Sequence, residues 1–145
     1  MAVTLWADAV LSTTASIAKI ESEINDLTAT NWDNKIATAK ELIGDKLEVI
    51  LTERGVNVDE ESGDVLLDTI ANPTVYNLSS DYMTLHLIFD DLSQGQEGLY
   101  MGKSEKYNAY FERKFSEDVK RMNLDLDNDG TTDVFRVSWT GKLSR

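Results

Sequence analysis

Up to about residue 122 the apolar residues recur every three or four positions; beyond it they recur every second one. The first spacing is that of a helix with one buried face, and the second that of a half-buried strand. The strongest helical stretch runs from about Asp33 to Arg54, with Ile36, Ala39, Ile43, Leu47, Ile50 and Leu51 on one face. Asp33 is placed to cap its first turn. Gly55 follows the last periodic residue, where a left-handed glycine ends many helices. Gly44 lies inside this helix at a cost of up to about 1 kcal/mol against Ala, which points to a close helix–helix approach there.

Other helices are expected around 13–28 (Ile17, Ile20, Ile24, Leu27), in 64–72 ahead of Pro73, from about Ser80 to Leu92 with Ser79 or Ser80 as cap, and from about Ser104 to Met122. The helix near 80–92 is apolar around much of its circumference and should be deeply buried. In the last helix Tyr107, Tyr110, Phe111, Phe115, Val119 and Met122 share a face, a pattern of core packing and not of a cofactor site. Val3 to Ser12 reads as an extended arm. After Met122, Leu124 and Leu126 alternate with aspartates, and Phe135, Val137 and Trp139 alternate with Val134, Arg136 and Ser138. Asp129-Gly130 between them is a turn signal. The expected fold is therefore mainly α: a small bundle of four to five helices with a C-terminal β-hairpin or extended arm. The division is 1–122 for the helical part with its N-terminal arm and 123–145 for the hairpin or arm.

The net charge of −12, from 14 Lys+Arg and 26 Asp+Glu, excludes a protein that coats nucleic acid, since that requires a basic surface. It also argues against a polybasic membrane binder. No cysteine is present, so disulfides, Cys-ligated zinc and thiol catalysis are excluded. No run approaches the roughly 18 apolar residues of a membrane span. The opening residues lack the pattern of a secretory signal, and retention in the compartment of synthesis is expected. The charge is uneven along the chain. Residues 55–102 hold nine acidic side chains and no Lys or Arg, whereas 103–145 hold nine basic and eight acidic ones. Such a chain can present one acidic and one mixed face, either as a solvated surface or as complementary sides of an assembling subunit.

Candidate sites are few. Asp125, Asp127, Asp129 and Asp133 form D-x-D-x-D-G-x-x-D, and carboxylates at positions 1, 3, 5 and 9 around a glycine suit calcium, a hard cation that takes oxygen ligands. The EF-hand loop needs a carboxylate at position 12, and here that residue is Arg136. Two readings follow: an incomplete calcium loop, or an acidic turn built from residues with turn preferences. Calcium is thus the one cofactor to consider. His86, the single histidine, reads as a core or interface residue. Asp90 and Asp91 are adjacent, so on a helix they point about 100° apart and do not converge on one bond. Asp59, Glu60 and Glu61 lie in a polar connection. No P-loop, G-x-S-x-G, H-E-x-x-H or G-x-G-x-x-G occurs, and no catalytic residue is assigned: the chain is not expected to be an enzyme.

The order of segments carries a resemblance. An amphipathic helix opens with NWDNKIATAKELI (31–43), followed by an acidic connection and DVLLDTIANP (64–73). The apolar helix SSDYMTLHLIFDDLS (79–93), the aromatic–basic helix KYNAYFERKF (106–115) and LDLDNDG (124–130) come after. Over about residues 31–133 this resembles the small head–tail connector (adaptor, or head-completion) proteins of tailed bacteriophages. The resemblance implies a structural virion protein of the neck, assembled in the host cytoplasm, that forms a ring, usually dodecameric, under the portal protein. Such a ring extends the DNA channel without sequence-specific binding and docks the tail or a stopper. It further implies a C-terminal arm reaching a neighbour or the portal, for which Phe135, Val137 and Trp139 are the candidates. In a ring the segment 55–102 would face the channel, with Asp59, Glu60, Glu61, Asp90 and Asp91 as candidate lining residues, because carboxylates repel phosphate. Two alternatives stay open: another neck protein, such as a stopper or tail terminator, and a small calcium-dependent binding module.

Overall fold

The computed structural model describes residues 6–26, 32–55, 66–93, 98–124 and 134–135. The chain is mainly helical: α1 (Thr14–Ile20), α2 (Asp33–Glu53), α3 (Asn77–Leu92) and α4 (Leu99–Arg121), with two short strands, β1 (Asn123–Leu124) and β2 (Val134–Phe135). It divides into two compact units. One comprises Met1–Ala9, Ile43–Val75 and Ser116–Arg145, and the other Val10–Leu42 and Tyr76–Phe115. We call them the split unit and the central unit. The boundary falls within α2 and α4.

In the central unit α1 starts with a reciprocal cap. The Thr13 hydroxyl accepts from the Ser16 N–H at 3.0 Å, and the Ser16 hydroxyl accepts from the Thr13 N–H at 2.9 Å. Two donors that the first turn leaves without helical partners are thus satisfied. The apolar period predicts one helix over 13–28. Instead α1 ends at Ile20, Glu21 turns out of the helix with φ −138°, and a 3-10 turn occupies Ser22–Asp26. The break frees the Glu21 side chain to bond elsewhere and still buries Ile17 and Ile24. Both join Leu85, Ile88, Phe89 and Tyr107 in the core. Tyr82, Tyr100 and Tyr110 ring this core, with aromatic centroids 5.5–6.3 Å apart, a range in which edge-to-face and offset pairs add to burial.

α3 begins earlier than its sequence suggests. Its cap is Tyr76, with no side-chain bond, so neither Ser79 nor Ser80 is a cap. Both serines are fully buried inside the helix. Thr84 returns its hydroxyl to the Ser80 carbonyl at 2.7 Å, the local back-bond that lets a hydroxyl enter a buried helix face. α4 also begins early, at Leu99.

In the split unit the apolar face of α2 buries Ile43, Leu47 and Leu51, and Ile70, Val119, Met122 and Leu124 are buried too. Asp33 is the first helical residue of α2 and not its cap, since the Ile36 N–H already bonds to the Trp32 carbonyl at 2.9 Å. Gly55 has φ 82°, as a helix-ending glycine should. Gly44 does mark a close approach, but not of a second helix. A Cβ there would lie 3.1 Å from the Leu67 side chain and 3.4 Å from the Trp6 indole nitrogen. Accordingly Trp6 and Ala9 are buried, and where an extended arm was expected Trp6–Asp8 form a 3-10 turn with Asp8 exposed.

Where a helix was expected over 64–72, the described residues form a 3-10 turn, Leu66–Thr69, followed by a bridge from Ile70 to Leu124. β1 and β2 pair antiparallel, Asn123 opposite Phe135 and Leu124 opposite Val134, which is the pairing expected of a terminal hairpin. Asn72 ties this region together. Its Nδ2 donates to the Arg121 carbonyl at 3.0 Å, and its Oδ1 accepts from the Asn123 N–H at 2.7 Å. The Ala71 N–H donates to the Asn123 carbonyl at 2.8 Å.

Candidate functional site

Of the five acidic residues proposed from sequence to line a channel, Asp90 and Asp91 lie within the described residues. Both are exposed, in the last turn of α3. That turn holds no basic side chain, and its carbonyls are met by Ser93, whose hydroxyl donates to the Asp90 carbonyl at 2.9 Å. A carboxylate there is disfavoured by the helix dipole by about 0.3–1 kcal/mol. Lys35 reaches Asp91 at 3.4 Å, an exposed pair of the kind that contributes about 0–1 kcal/mol. Asp59, Glu60 and Glu61 lie outside the described residues, as do Asp125, Asp127, Asp129 and Asp133 of the calcium-like turn and Val137 and Trp139. Phe135 lies in β2. Among the described residues no group of three His, Asp or Glu side chains gathers around a common point.

The most organised polar constellation was not anticipated from the sequence. Lys103, on α4, donates to Glu21 at 2.6 Å and also to Glu23. The Tyr107 hydroxyl donates to the other Glu21 oxygen at 2.6 Å. The ammonium group stands 5.3 Å over the Phe89 ring, a favourable placement for a cation. Burial works against the charge on Glu21, but the bonds from Lys103 and Tyr107 outweigh it and hold the carboxyl below its ordinary value. Burial likewise opposes the charge on Lys103, and its bonds to Glu21 and Glu23 outweigh that effect, raising it. Burial and then the Glu21 charge push the Tyr107 phenol well up. A lysine held protonated and a phenol held neutral are poor nucleophiles and bases, and the contacts tie α4 to the segment that follows α1. Eighty-two residues separate Glu21 from Lys103, and no local pattern announces the pair.

A second polar cluster sits at the other end of α1. Asp81 is buried on α3. Its Oδ1 accepts from the Ser16 hydroxyl at 2.8 Å, beside a buried bond from Ser12 to Ser80 at 2.7 Å. Burial raises the Asp81 carboxyl above its ordinary value, and the hydroxyls of Ser12 and Ser16 only partly offset this. Among the described residues no ion pair reaches Asp81.

His86 is half-buried between α3 and α4. Its Nδ1 lies 2.9 Å from the Ser104 carbonyl oxygen, which can only accept, so Nδ1 carries the hydrogen. The Ser104 hydroxyl lies 3.0 Å from the same nitrogen and donates to the His86 carbonyl at 3.4 Å. The imidazole thus links α3 to α4 with its donor satisfied. No helix among the described residues is long and apolar enough to cross a membrane. Comparison of the chain with models of known protein families, with curated proteins and with solved structures finds no match.

Proposed function

We propose that the chain is a structural subunit of a tailed-phage neck: a head-to-tail connector that forms a ring under the portal protein, extends the DNA channel and docks a stopper or other tail-side protein. The observation that carries this reading is the 48-residue stretch 55–102, with nine acidic side chains and no Lys or Arg. A channel for DNA must not hold phosphate, and a carboxylate-lined wall repels it. Asp90 and Asp91 support the reading because they stand at solvent where the helix dipole disfavours them. Their placement favours a surface potential over helix stability. Head-to-tail ring packing needs two different complementary faces on each subunit, and the nearly balanced C-terminal third supplies a face unlike the acidic one. The segment with Phe135, Val137 and Trp139 is the proposed partner arm, adding a strand to a neighbour. The role is structural, non-enzymatic and placed in the virion.

Size-exclusion chromatography with light scattering, on the chain alone and with a portal protein, tests it. A ring of many copies, or a complex formed only with portal, is expected. A chain that stays monomeric with portal present overturns the reading. The mainly helical fold is a poorer match to stoppers and tail terminators, which are richer in strand. The calcium-module reading rests on the D-x-D-x-D-G-x-x-D turn alone. It predicts heat on calcium addition and a melting point that rises with calcium.

A further inference from the structure

The Asp81 cluster has a hydrogen count that depends on one proton. Ser16 has a single hydroxyl hydrogen and two acceptors within reach, the Thr13 carbonyl at 2.9 Å and Asp81 Oδ1 at 2.8 Å. When Asp81 is ionised, that hydrogen is drawn to the carboxylate. When Asp81 is protonated, its own O–H donates to Ser16, and the Ser16 hydroxyl serves Thr13. The proton thus completes the chain of bonds and removes a charge from a buried place. We propose that Asp81 and its serine shell are a proton-dependent latch: the protonated carboxyl holds the N-terminal end of α1 on α3, and ionisation loosens it.

Among the described residues of α1 and of α3 within one turn of it, Asp81 is the one carboxyl. Between Ala9 and Ile20 the one ionisable side chain is Lys19, which is exposed and makes no ion pair with Asp81. Within one turn on α3 the one other ionisable group is Tyr82, whose ring faces Tyr107 and Tyr110 of α4. Glu21 and Glu23 are both bonded to Lys103 at the opposite end of α1. A raised folded-state carboxyl stabilises the closed form fully below the ordinary value of 3.8 and loses that stabilisation as pH rises through the raised value. Loosening this end uncovers Ile17, which packs with Leu85, Ile88 and Phe89. The latch therefore governs access to apolar surface.

Amide exchange followed by NMR, corrected for intrinsic chemistry, tests the latch on the intact chain between about pH 4 and about pH 8. The Ile17 N–H, bonded to the Thr13 carbonyl, should lose protection by up to about tenfold per pH unit once pH exceeds the ordinary carboxyl value, and then level off. The Glu21 N–H, bonded to the Ile17 carbonyl at the other end, should not follow it. In Asp81→Asn the Ile17 protection should be flat. An equal slope in Asp81→Asn, or a wild-type Ile17 that does not change, overturns the proposal. A carbon-13 titration of the wild-type Asp81 carboxyl with its midpoint at or below 3.8 also overturns it, without any variant.

Discussion

α1 is held at its two ends by polar contacts of opposite character. At its C-terminal end Glu21 meets a cation, Lys103, and a phenol, Tyr107. At its N-terminal end Ser16 meets a buried carboxyl, Asp81, with only hydroxyls for company. Both acids are withdrawn from water, yet one titrates below its ordinary value and the other above it. The sign follows from whether a cation is present: desolvation penalises both charges, and only Glu21 has an ammonium group to reverse the balance. The consequences for pH are opposite. The Glu21 contribution is full above the ordinary value of 4.5 and lost as pH falls through the lowered one. The Asp81 contribution is full in acid and lost as pH rises through the raised one. The attachment of α1 should therefore be firmest at a mildly acidic pH, between the two.

The largest effect is expected from Lys103→Met, which leaves two carboxylates facing each other and should cost about 2–3 kcal/mol at neutral pH in urea unfolding. The same variant should flatten the acid limb of the stability–pH curve; an unchanged limb would show that Lys103 is not what lowers Glu21. Tyr107→Phe keeps the ring packing and removes one bond to a charged group. A loss of about 1.5–2 kcal/mol is expected, with near-UV circular dichroism unchanged. Ser16→Ala removes half of the reciprocal cap and a donor to Asp81, for about 1–1.5 kcal/mol. It should shift the alkaline weakening to higher pH, because the ionised carboxyl loses a partner. The smallest change is of opposite sign: Asp81→Asn should gain about 0.5–1 kcal/mol at pH 7, where the wild-type carboxylate is desolvated. A loss there would mean that the serine shell compensates the charge fully, and the contrast between the two ends would collapse.

Much of the fold was legible because its signals are local. The stripe from Ile36 to Leu51, the glycine that ends α2 and the aromatic face of α4 all follow from signals within one element. Where several residues compete for a helix end, the sequence was less informative. Ser79 and Ser80 are good caps by type, but the helix reaches past them and buries their hydroxyls. The break at Glu21 is not visible in the apolar period, since a 3-10 turn carries Ile24 inward as well as an α-helix would. By contrast, Lys103 with Glu21 and Asp81 with Ser16 join positions 82 and 65 residues apart. Each member reads by itself as an ordinary surface residue, and only folding supplies the partner.

Asn72 has a mechanical consequence. One amide side chain grips both the final carbonyl of α4, on Arg121, and the first N–H of β1, on Asn123. Tension entering at β2 passes to β1 through the strand pairing, and from there it divides between the chain itself and the Asn72 splice. The last turn of α4 is thus spared part of any pull on the C-terminal segment, and a load that strips β2 away would leave the helix end seated.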